Sequence, residues 1–282
     1  MTKKIDSREL ARAAVWYSGV GAILLIIFVP LMWVIAASFS ELQDIFANVN
    51  PFSLRALYPA EPTLEPYREI FAKGYGRAVV NTLGVSAVTI FAGLLINSMS
   101  GFVFAKVNFR FRTTVFLIVL LTAMVPFEAI AVPLYNVATA LGLRNTFGAL
   151  ILPGLAHGLV VFLFKQFFEE IPTDLIEVTF IDGGSWWQVF TRIFLPLSKP
   201  AMIAGSLILF LFQWNAFLWP LIAAPSQRYR LIQVAIANLN FEYQNLWNEV
   251  FAASLIGAVV PVVLILIFQK YFVRGIATSG MK

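Results

Sequence analysis

The stretch EVTFIDGGSWWQVFTRIFLP, residues 177–196, decides the interpretation of the fold because it is a charged, glycine-containing island between two long apolar segments. The 282 residues of the chain are 60% hydrophobic and only 12% charged. This composition, with several uncharged windows as long as a bilayer is thick, is typical of a membrane protein and not of a globular one. The island therefore predicts a polar segment on one side of the membrane, between two membrane crossings.

Six segments are long enough to cross a membrane as helices of roughly 20 apolar residues. They are residues 13–40, 78–105, 113–143, 145–164, 200–227 and 250–269. Helices satisfy their own backbone hydrogen bonds in lipid, and the alternating pattern of a membrane β-barrel is absent from the sequence. The first segment follows Lys3 and Lys4 as a secretory signal would, but it exceeds an apolar signal core of about 7 to 15 residues. We predict an all-α polytopic membrane protein with six transmembrane helices, the first of them retained.

The positive charges indicate the orientation of the chain. Most of the 20 Lys and Arg residues fall on the side of the N-terminus if the six segments cross in turn. By the positive-inside rule, both termini are predicted to be cytosolic. This bias also accounts for the net charge of +5 without nucleic acid as a partner. The absence of cysteine excludes a disulfide framework and a thiolate metal site.

The polar island is predicted to form two short helices. Pro172 and Asp174 begin the first helix, since proline fits a first helical turn and a carboxylate favours the positive end of the helix dipole. Gly183 and Gly184 end it, and Ser185 with a glutamine three residues later forms a capping box that begins the second helix. Apolar residues then follow along one face, namely Trp186, Phe190, Ile193, Phe194 and Leu197, until Pro196 and Pro200 stop or kink the helix. On periodicity alone, this elbow fits a membrane-surface hairpin as well as a docking site.

The spacing within the elbow resembles the EAA motif of ABC importer permeases. Glu177, Gly183, Ile193 and Pro196 are in register with that motif, and Asp182, Phe190 and Pro200 fit the version found in carbohydrate-uptake permeases. The sequence departs from the motif at Val178 and Thr179, where two alanines are usual. Other segments are similar to family landmarks, and the last of them resembles the subgroup of the maltose transporter's second permease subunit: residues 101–112, 124–135, 143–153, 165–172 and 210–221.

The resemblance implies a type I ABC importer permease fold with a cytoplasmic coupling elbow. It divides the chain into an N-terminal helix with an external loop, residues 1–76, and a five-helix permease core, residues 77–282, which carries the elbow at 167–200. In such transporters the elbow docks into a groove of an ATPase subunit, with Glu177 expected to make a charged contact and Asp182 with Gly183 to set the angle of the turn. Gly183 is equally interpretable as an ordinary helix C-cap. The residues implied in coupling are Glu177, Asp182, Gly183, Gly184, Trp186, Phe190, Ile193 and Pro196.

The implied assembly contains a second related permease, two ATPase subunits and an external substrate-binding protein. The sequence has no G-x-x-x-x-G-K-[ST] loop, so ATP and Mg are expected to bind the partner ATPases, and this chain is expected to bind no cofactor and to have no catalytic residue or metal site. The implied substrate is a sugar, oligosaccharide or polyol derivative, with glycerol phosphate as an alternative. A self-contained secondary transporter would show paired repeats, and a membrane enzyme would need more catalytic groups than one His supplies.

Few polar residues lie inside the predicted spans. Glu128 stands 16 residues beyond Arg112, about 24 Å along a continuous helix, and is interpreted as facing the substrate path or pairing with the partner permease. Gln213, Trp214 and Asn215 combine amides with an aromatic ring, which suits an uncharged, hydroxyl-rich substrate or interhelical packing. His157, next to Gly158, is predicted to be a satisfied residue at a close helix crossing.

Overall fold

The structure, a computed structural model, describes residues 7–51, 53–59, 61–241 and 246–279, and the all-α class is confirmed. Short 3₁₀-helices lie at Leu54–Leu57 and Leu152–Gly154, and a π-helical turn lies at Val189–Phe194. The α-helices, in chain order, are α1 (Ser7–Ser38), α2 (Glu65–Ala72), α3 (Tyr75–Lys106), α4 (Arg112–Met124), α5 (Phe127–Ala140), α6 (Phe147–Ile151), α7 (Gly158–Glu169), α8 (Asp174–Ile181), α9 (Trp186–Gln188), α10 (Leu195–Leu197), α11 (Lys199–Trp214), α12 (Leu218–Ala223), α13 (Ile232–Phe241) and α14 (Trp247–Ser279).

Three uninterrupted helices are long and apolar enough to cross a membrane. They are Arg12–Ser38, Tyr75–Lys106 and Trp247–Gln269, and they correspond to the predicted spans 13–40, 78–105 and 250–269. Three further pairs of helices pass the same test together but are bent at a short break. Counting each bent pair as one span gives up to six crossings within the described residues.

The predicted span 113–143 is wrong as a single helix. It consists of α4 and α5, which meet at an angle of 101°. Pro126 causes the break because proline lacks a backbone N–H and keeps the residue before it out of the helical region, and Val125 is accordingly extended, with ψ of 123°. Glu128 therefore lies in the first turn of α5 and not 24 Å along one helix from Arg112.

The predicted spans 145–164 and 200–227 also need correction. The first is bent by 41° between Phe147–Gly154 and Gly158–Glu169, and its second part runs past Phe164 to Glu169, which pairs with Lys165 at a distance of 2.7 Å. The second ends at Trp214, and the chain resumes a helix only at α12. Pro220 is tolerated in the first turn of this new helix, whereas it would interrupt a continuous one.

The chain forms two compact units, Met1–Gly74 with Ile236–Ile256, and Tyr75–Ala235 with Gly257–Lys282. The first unit thus includes Ile236–Ile256 from late in the chain, and the functional division predicted at residue 76 stays a prediction. In that unit, the ring centroid of Trp33 lies 5.3 Å from that of Phe251. The Nζ atom of Lys73 lies 2.6 Å from both carboxylate oxygens of Glu249, whose side chain is buried.

The second unit is built around α3, which packs against α7 and α11. Gly101 permits a close crossing, because a Cβ atom at this position would lie 2.5 Å from the Cβ of Phe164. Next to this crossing, a cluster of buried phenylalanines connects α3 and α7 to the elbow. Its members include Phe102, Phe164, Phe168, Phe190 and Phe194. The membrane helices and the elbow of this unit thus share one hydrophobic core.

Candidate functional site

The turn of the elbow is a Schellman motif formed by the two glycines. The backbone N–H of Gly183 donates to Phe180 O at 3.0 Å, and that of Gly184 donates to Thr179 O at 2.8 Å. Gly183 has a φ of +75°, in the left-handed region that glycine adopts without strain. The end of α8 is therefore confirmed as a helix C-cap at Gly183.

Gly184 is required for a different reason. A Cβ atom at this position would lie 2.5 Å from Thr179 Cγ2 and 2.7 Å from Thr179 O. The threonine that departs from the alanine of the EAA motif thus packs directly against the second glycine, and its hydroxyl donates to Leu175 O at 2.8 Å within α8. Threonine in place of alanine changes the side chain that packs against Gly184, but the Schellman turn still forms.

The second helix of the elbow runs from Trp186 to Leu197 and begins with the predicted capping box. Gln188 N donates to Ser185 Oγ at 3.4 Å, and Ser185 N donates to Gln188 Oε1 at 2.8 Å. The predicted apolar face is partly wrong, because the π-helical turn Val189–Phe194 adds a residue to the helical repeat. Phe190 and Phe194 are buried as predicted and Val189 joins them, whereas Trp186 and Leu197 are exposed.

The tip of the elbow presents apolar and acidic side chains to its surroundings. Ile181 is 83% exposed, and Val178 and Trp187 are more than half exposed. Glu177 and Asp182 are exposed on the same short segment. Of the other predicted coupling residues, Ile193 packs partly buried against the hydrophobic core and Pro196 is exposed.

Phe102 of α3 is the aromatic residue that the elbow packs around. Its ring centroid lies 5.0 Å from that of Phe194, 5.4 Å from Phe190 and 6.0 Å from Trp186. It also contacts Phe168 of α7 at 6.1 Å. The base of the elbow is consequently anchored to a membrane helix, while its tip stays exposed.

The residues predicted for a substrate path do not form one cluster of exposed groups. Glu128 is exposed at the start of α5, where its carboxylate favours the helix dipole. Gln213 and Trp214 are buried, and the Trp214 indole N–H donates to Gly257 O at 2.9 Å. Asn215 is exposed and caps α11 through a bond to Leu211 O. Their role in a substrate path stays a prediction.

Asn97, a residue that sequence reasoning missed, stabilises the break between the helical segments Phe147–Gly154 and Gly158–Glu169. Its side chain is fully buried, its Nδ2 donates to Leu155 O at 2.8 Å, and its Oδ1 accepts from His157 N at 2.9 Å. Backbone groups freed by a break in a membrane helix need such partners. The signal was an asparagine inside an otherwise apolar span.

His157 and its neighbour partly match the predicted helix crossing. A Cβ atom at Gly158 would lie 2.8 Å from Ala123 Cβ, so the two helices approach closely there as predicted. The His157 ring packs edge-on against Phe212 at 5.1 Å, but Nδ1 is buried without a hydrogen-bond partner, so the prediction of a satisfied histidine is wrong. Within the described residues, no group of three or more His, Asp or Glu side chains could hold a metal ion.

Comparisons with known proteins agree on one family. Residues 78–278 match the family described as binding-protein-dependent transport system inner membrane component. The chain is 32% identical over 267 residues to the arabinooligosaccharides transport system permease protein AraQ of Halalkalibacterium halodurans, covering 94% of each chain. It is 29% identical to the sn-glycerol-3-phosphate transport system permease protein UgpE of Rhizobium meliloti, over 91% of this chain and 93% of the other. A solved bacterial ABC transporter involved in the import of the acidic polysaccharide alginate superposes with a TM-score of 0.80 at 19% identity, over 96% of this chain and all of that chain.

Proposed function

This chain belongs to the family of binding-protein-dependent transport system inner membrane components, and we propose that it is one of two permease subunits in an ATP-driven importer of a carbohydrate. It forms half of the translocation path in the bacterial cytoplasmic membrane, with both termini cytosolic. Its partners are a second related permease, two ATPase subunits and an external substrate-binding protein. The chain itself is non-catalytic and binds no cofactor, since ATP and Mg belong to the ATPase subunits.

The observation that carries this proposal is the contrast between the two ends of the elbow. The base is buried around Phe102, whereas Ile181 and Trp187 at the tip are exposed large apolar residues. Exposed apolar side chains mark a contact with a protein or with a membrane. The exposed carboxylates of Glu177 and Asp182 beside them favour a protein, because the cytoplasmic membrane surface is itself negatively charged. The tip docks into the ATPase, with Glu177 making the charged contact and Asp182 next to the turn glycine.

Coupling follows from this attachment. The two ATPases approach each other around ATP and carry the elbows with them, and the elbows shift the permease between inward-open and outward-open states. ATP drives transport because its binding favours one of these two states over the other. The rigid Schellman turn and capping box keep the tip from bending away under load.

The substrate class rests on the relatives. Curated relatives are named for transport of arabinooligosaccharides and of trehalose, the latter at 26% identity in Mycobacterium tuberculosis. We assign four residues to the substrate path: the exposed Glu128 at the break between α4 and α5, the exposed Asn215 at the end of α11, and the buried Gln213 and Trp214 that precede Asn215 in the chain. A hydroxyl-rich, uncharged sugar suits an amide and a carboxylate as hydrogen-bonding partners.

Glycerol phosphate is the second candidate substrate, and the UgpE relatives favour it. Against it, the six predicted spans contain no arginine to bind a phosphate. Uptake of labelled arabinooligosaccharides, trehalose and glycerol 3-phosphate by the reconstituted complex, with its binding protein supplied, separates the two candidates.

The docking of the elbow is testable by cross-linking because the chain contains no cysteine that would have to be removed. We expect Ile181→Cys, in the complex purified with its ATPase, to cross-link to the ATPase subunit through a benzophenone maleimide, whose maleimide bonds the new thiol and whose photoactivated ketone inserts into a C–H bond of the neighbouring subunit. Leu54→Cys is the matched control, since Leu54 is also a highly exposed apolar residue but lies in the predicted external loop. Equal yields for the two variants, or none for Ile181→Cys, would contradict the proposal.

A further inference from the structure

We propose that Lys106 is a positioning residue that transmits the movement of the elbow to the membrane helix α3. This inference rests on the proposed coupling function and adds to it the route by which force enters the membrane. Lys106 is the last residue of α3 and is one helical turn beyond Phe102. The two side chains therefore lie on one face at the same end of the helix.

The ammonium group of Lys106 binds the end of α7, where the chain enters the elbow. Its Nζ donates to Ile171 O at 2.6 Å and to Glu169 O at 3.4 Å. The last carbonyls of a helix have no partner within the helix and carry the negative end of its dipole, so a cation is favoured there. Lys106 thus binds backbone carbonyls at the start of the elbow segment, so this contact does not depend on the side chains of that segment.

The same ammonium group also reaches the second helix of the elbow. Its Nζ lies 5.8 Å from the centre of the Phe194 ring, within the range of a cation–π contact. Phe194 is fully buried and is also packed against Phe102. One face of α3 consequently contacts the elbow before its first helix and again within its second helix.

This double attachment explains how a displaced tip moves a membrane helix. Ile171 and Phe194 lie on either side of the turn glycines in the chain, and both converge on Lys106. A displacement of the elbow as a unit must carry α3 with it or break the bonds to Lys106. The phenylalanine cluster resists separation but permits sliding because hydrophobic contacts are non-directional. The directional hydrogen bond to Ile171 O therefore fixes the register.

The test compares Lys106→Met, Lys106→Arg and Arg110→Met in the full complex reconstituted with its ATPases and binding protein. Arg110→Met is the matched control, because Arg110 is exposed on the adjacent cytoplasmic loop and packs its guanidinium on the ring of its neighbour Phe111. The readouts are substrate transported per ATP hydrolysed, substrate-stimulated ATPase activity and Tm. Lys106→Met keeps the side-chain length and removes the charge and the donors.

We expect Lys106→Met to lower the substrate transported per ATP by roughly tenfold, the effect of one lost charge-assisted hydrogen bond. Lys106→Arg restores most of the ratio, and Arg110→Met leaves it unchanged. If Lys106→Met does not assemble, Lys106→Gln, which keeps a neutral donor, takes its place with the same readouts.

Two results would overturn the inference. One is an unchanged amount of substrate transported per ATP in Lys106→Met. The other is a lowered ratio that falls together with Tm and that Lys106→Arg does not restore, which marks a purely structural cap. The proposed function fails separately, if the wild-type complex shows no ATP-dependent uptake at all.

Discussion

At the scale of single residues, the site depends on how particular residues serve the backbone. Some allow an unusual backbone dihedral angle or leave space beside the chain, and others form hydrogen bonds with backbone N–H and C=O groups. The two glycines of the elbow differ in this respect: Gly183 supplies a positive φ, and Gly184 supplies space next to Thr179. Asn97 supplies one donor and one acceptor to a break in a helix. None of these residues contributes through its own hydrophobic burial.

We expect Gly183→Val to uncouple transport. A β-branched residue at φ of +75° is strained by about 1 to 2 kcal/mol, so the turn opens and the angle between the two elbow helices changes. Gly183→Asn is the control, because asparagine tolerates the left-handed region and keeps the cap. Uptake and substrate-stimulated ATPase activity are measured for both variants. Wild-type values of both activities in Gly183→Val would refute the role of the turn.

We expect Asn97→Leu to destabilise the chain. It leaves Leu155 O and His157 N without their partners, and each buried group left unpaired costs about 1 to 3 kcal/mol. Ser100→Ala, which removes only a bond to Ile96 O within the same helix, should leave Tm nearly unchanged. Thermal unfolding of the detergent-solubilised protein measures both. A Tm for Asn97→Leu equal to that of Ser100→Ala would show that the backbone groups at the helix break do not need Asn97 as their hydrogen-bond partner.

Local features of the site were predictable from the sequence, and distant ones were not. The capping box and the glycine C-cap involve residues at most five positions apart, so their residue types alone identify them. The partners of Asn97 lie 58 and 60 residues away, and only the packing of α3 against the helix break brings them together. The same holds for Lys106 and Ile171, which are 65 residues apart.

At the scale of the elements, the breaks in the helices distinguish the structure from the six predicted spans. A hydropathy pattern detects apolar length but not direction, so α4 and α5 were predicted as one helix although they are bent by 101°. The π-helical turn Val189–Phe194 likewise made the predicted apolar face of the elbow partly wrong, because an added residue changes which side chains share a face. The bend had a signal in the sequence, Pro126, which hydropathy alone does not register, whereas the π-helical turn arises from backbone geometry that composition does not encode.

We expect Gly101→Ala and Gly84→Ala to have opposite effects, although both lie on α3. At Gly101 the new methyl would lie 2.5 Å from Phe164 Cβ and 2.9 Å from Lys165 N, so overpacking should cost about 1 to 3 kcal/mol. At Gly84 nothing lies within 4 Å, and replacing glycine by alanine in a helix gains about 0.5 to 1 kcal/mol. Thermal unfolding of the two variants tests this. Equal shifts in Tm would mean that α3 and α7 do not cross closely at Gly101.

At the scale of the whole molecule, six crossings require the bent pair of α4 and α5 to traverse the bilayer. Helices α4 and α5 contain 13 and 14 residues, about 20 Å each, and a bilayer core is about 30 Å thick. Neither helix spans the membrane alone. The pair is therefore either one broken span or a re-entrant loop that returns to the side it came from. The positive-inside prediction favours a span.

We expect Phe111→Cys and Leu141→Cys, which flank this pair, to react with a membrane-impermeant maleimide from opposite sides. Both side chains are more than 60% exposed, so a difference in labelling reports the side of the membrane and not burial inside the protein. Phe111→Cys should react in inside-out vesicles together with Ile181→Cys, and Leu141→Cys in intact cells together with Leu54→Cys. Labelling of Phe111→Cys and Leu141→Cys from one side would make the pair a re-entrant loop. An odd number of crossings would then place the N-terminus and the C-terminus on opposite sides, and the two could not both be cytosolic.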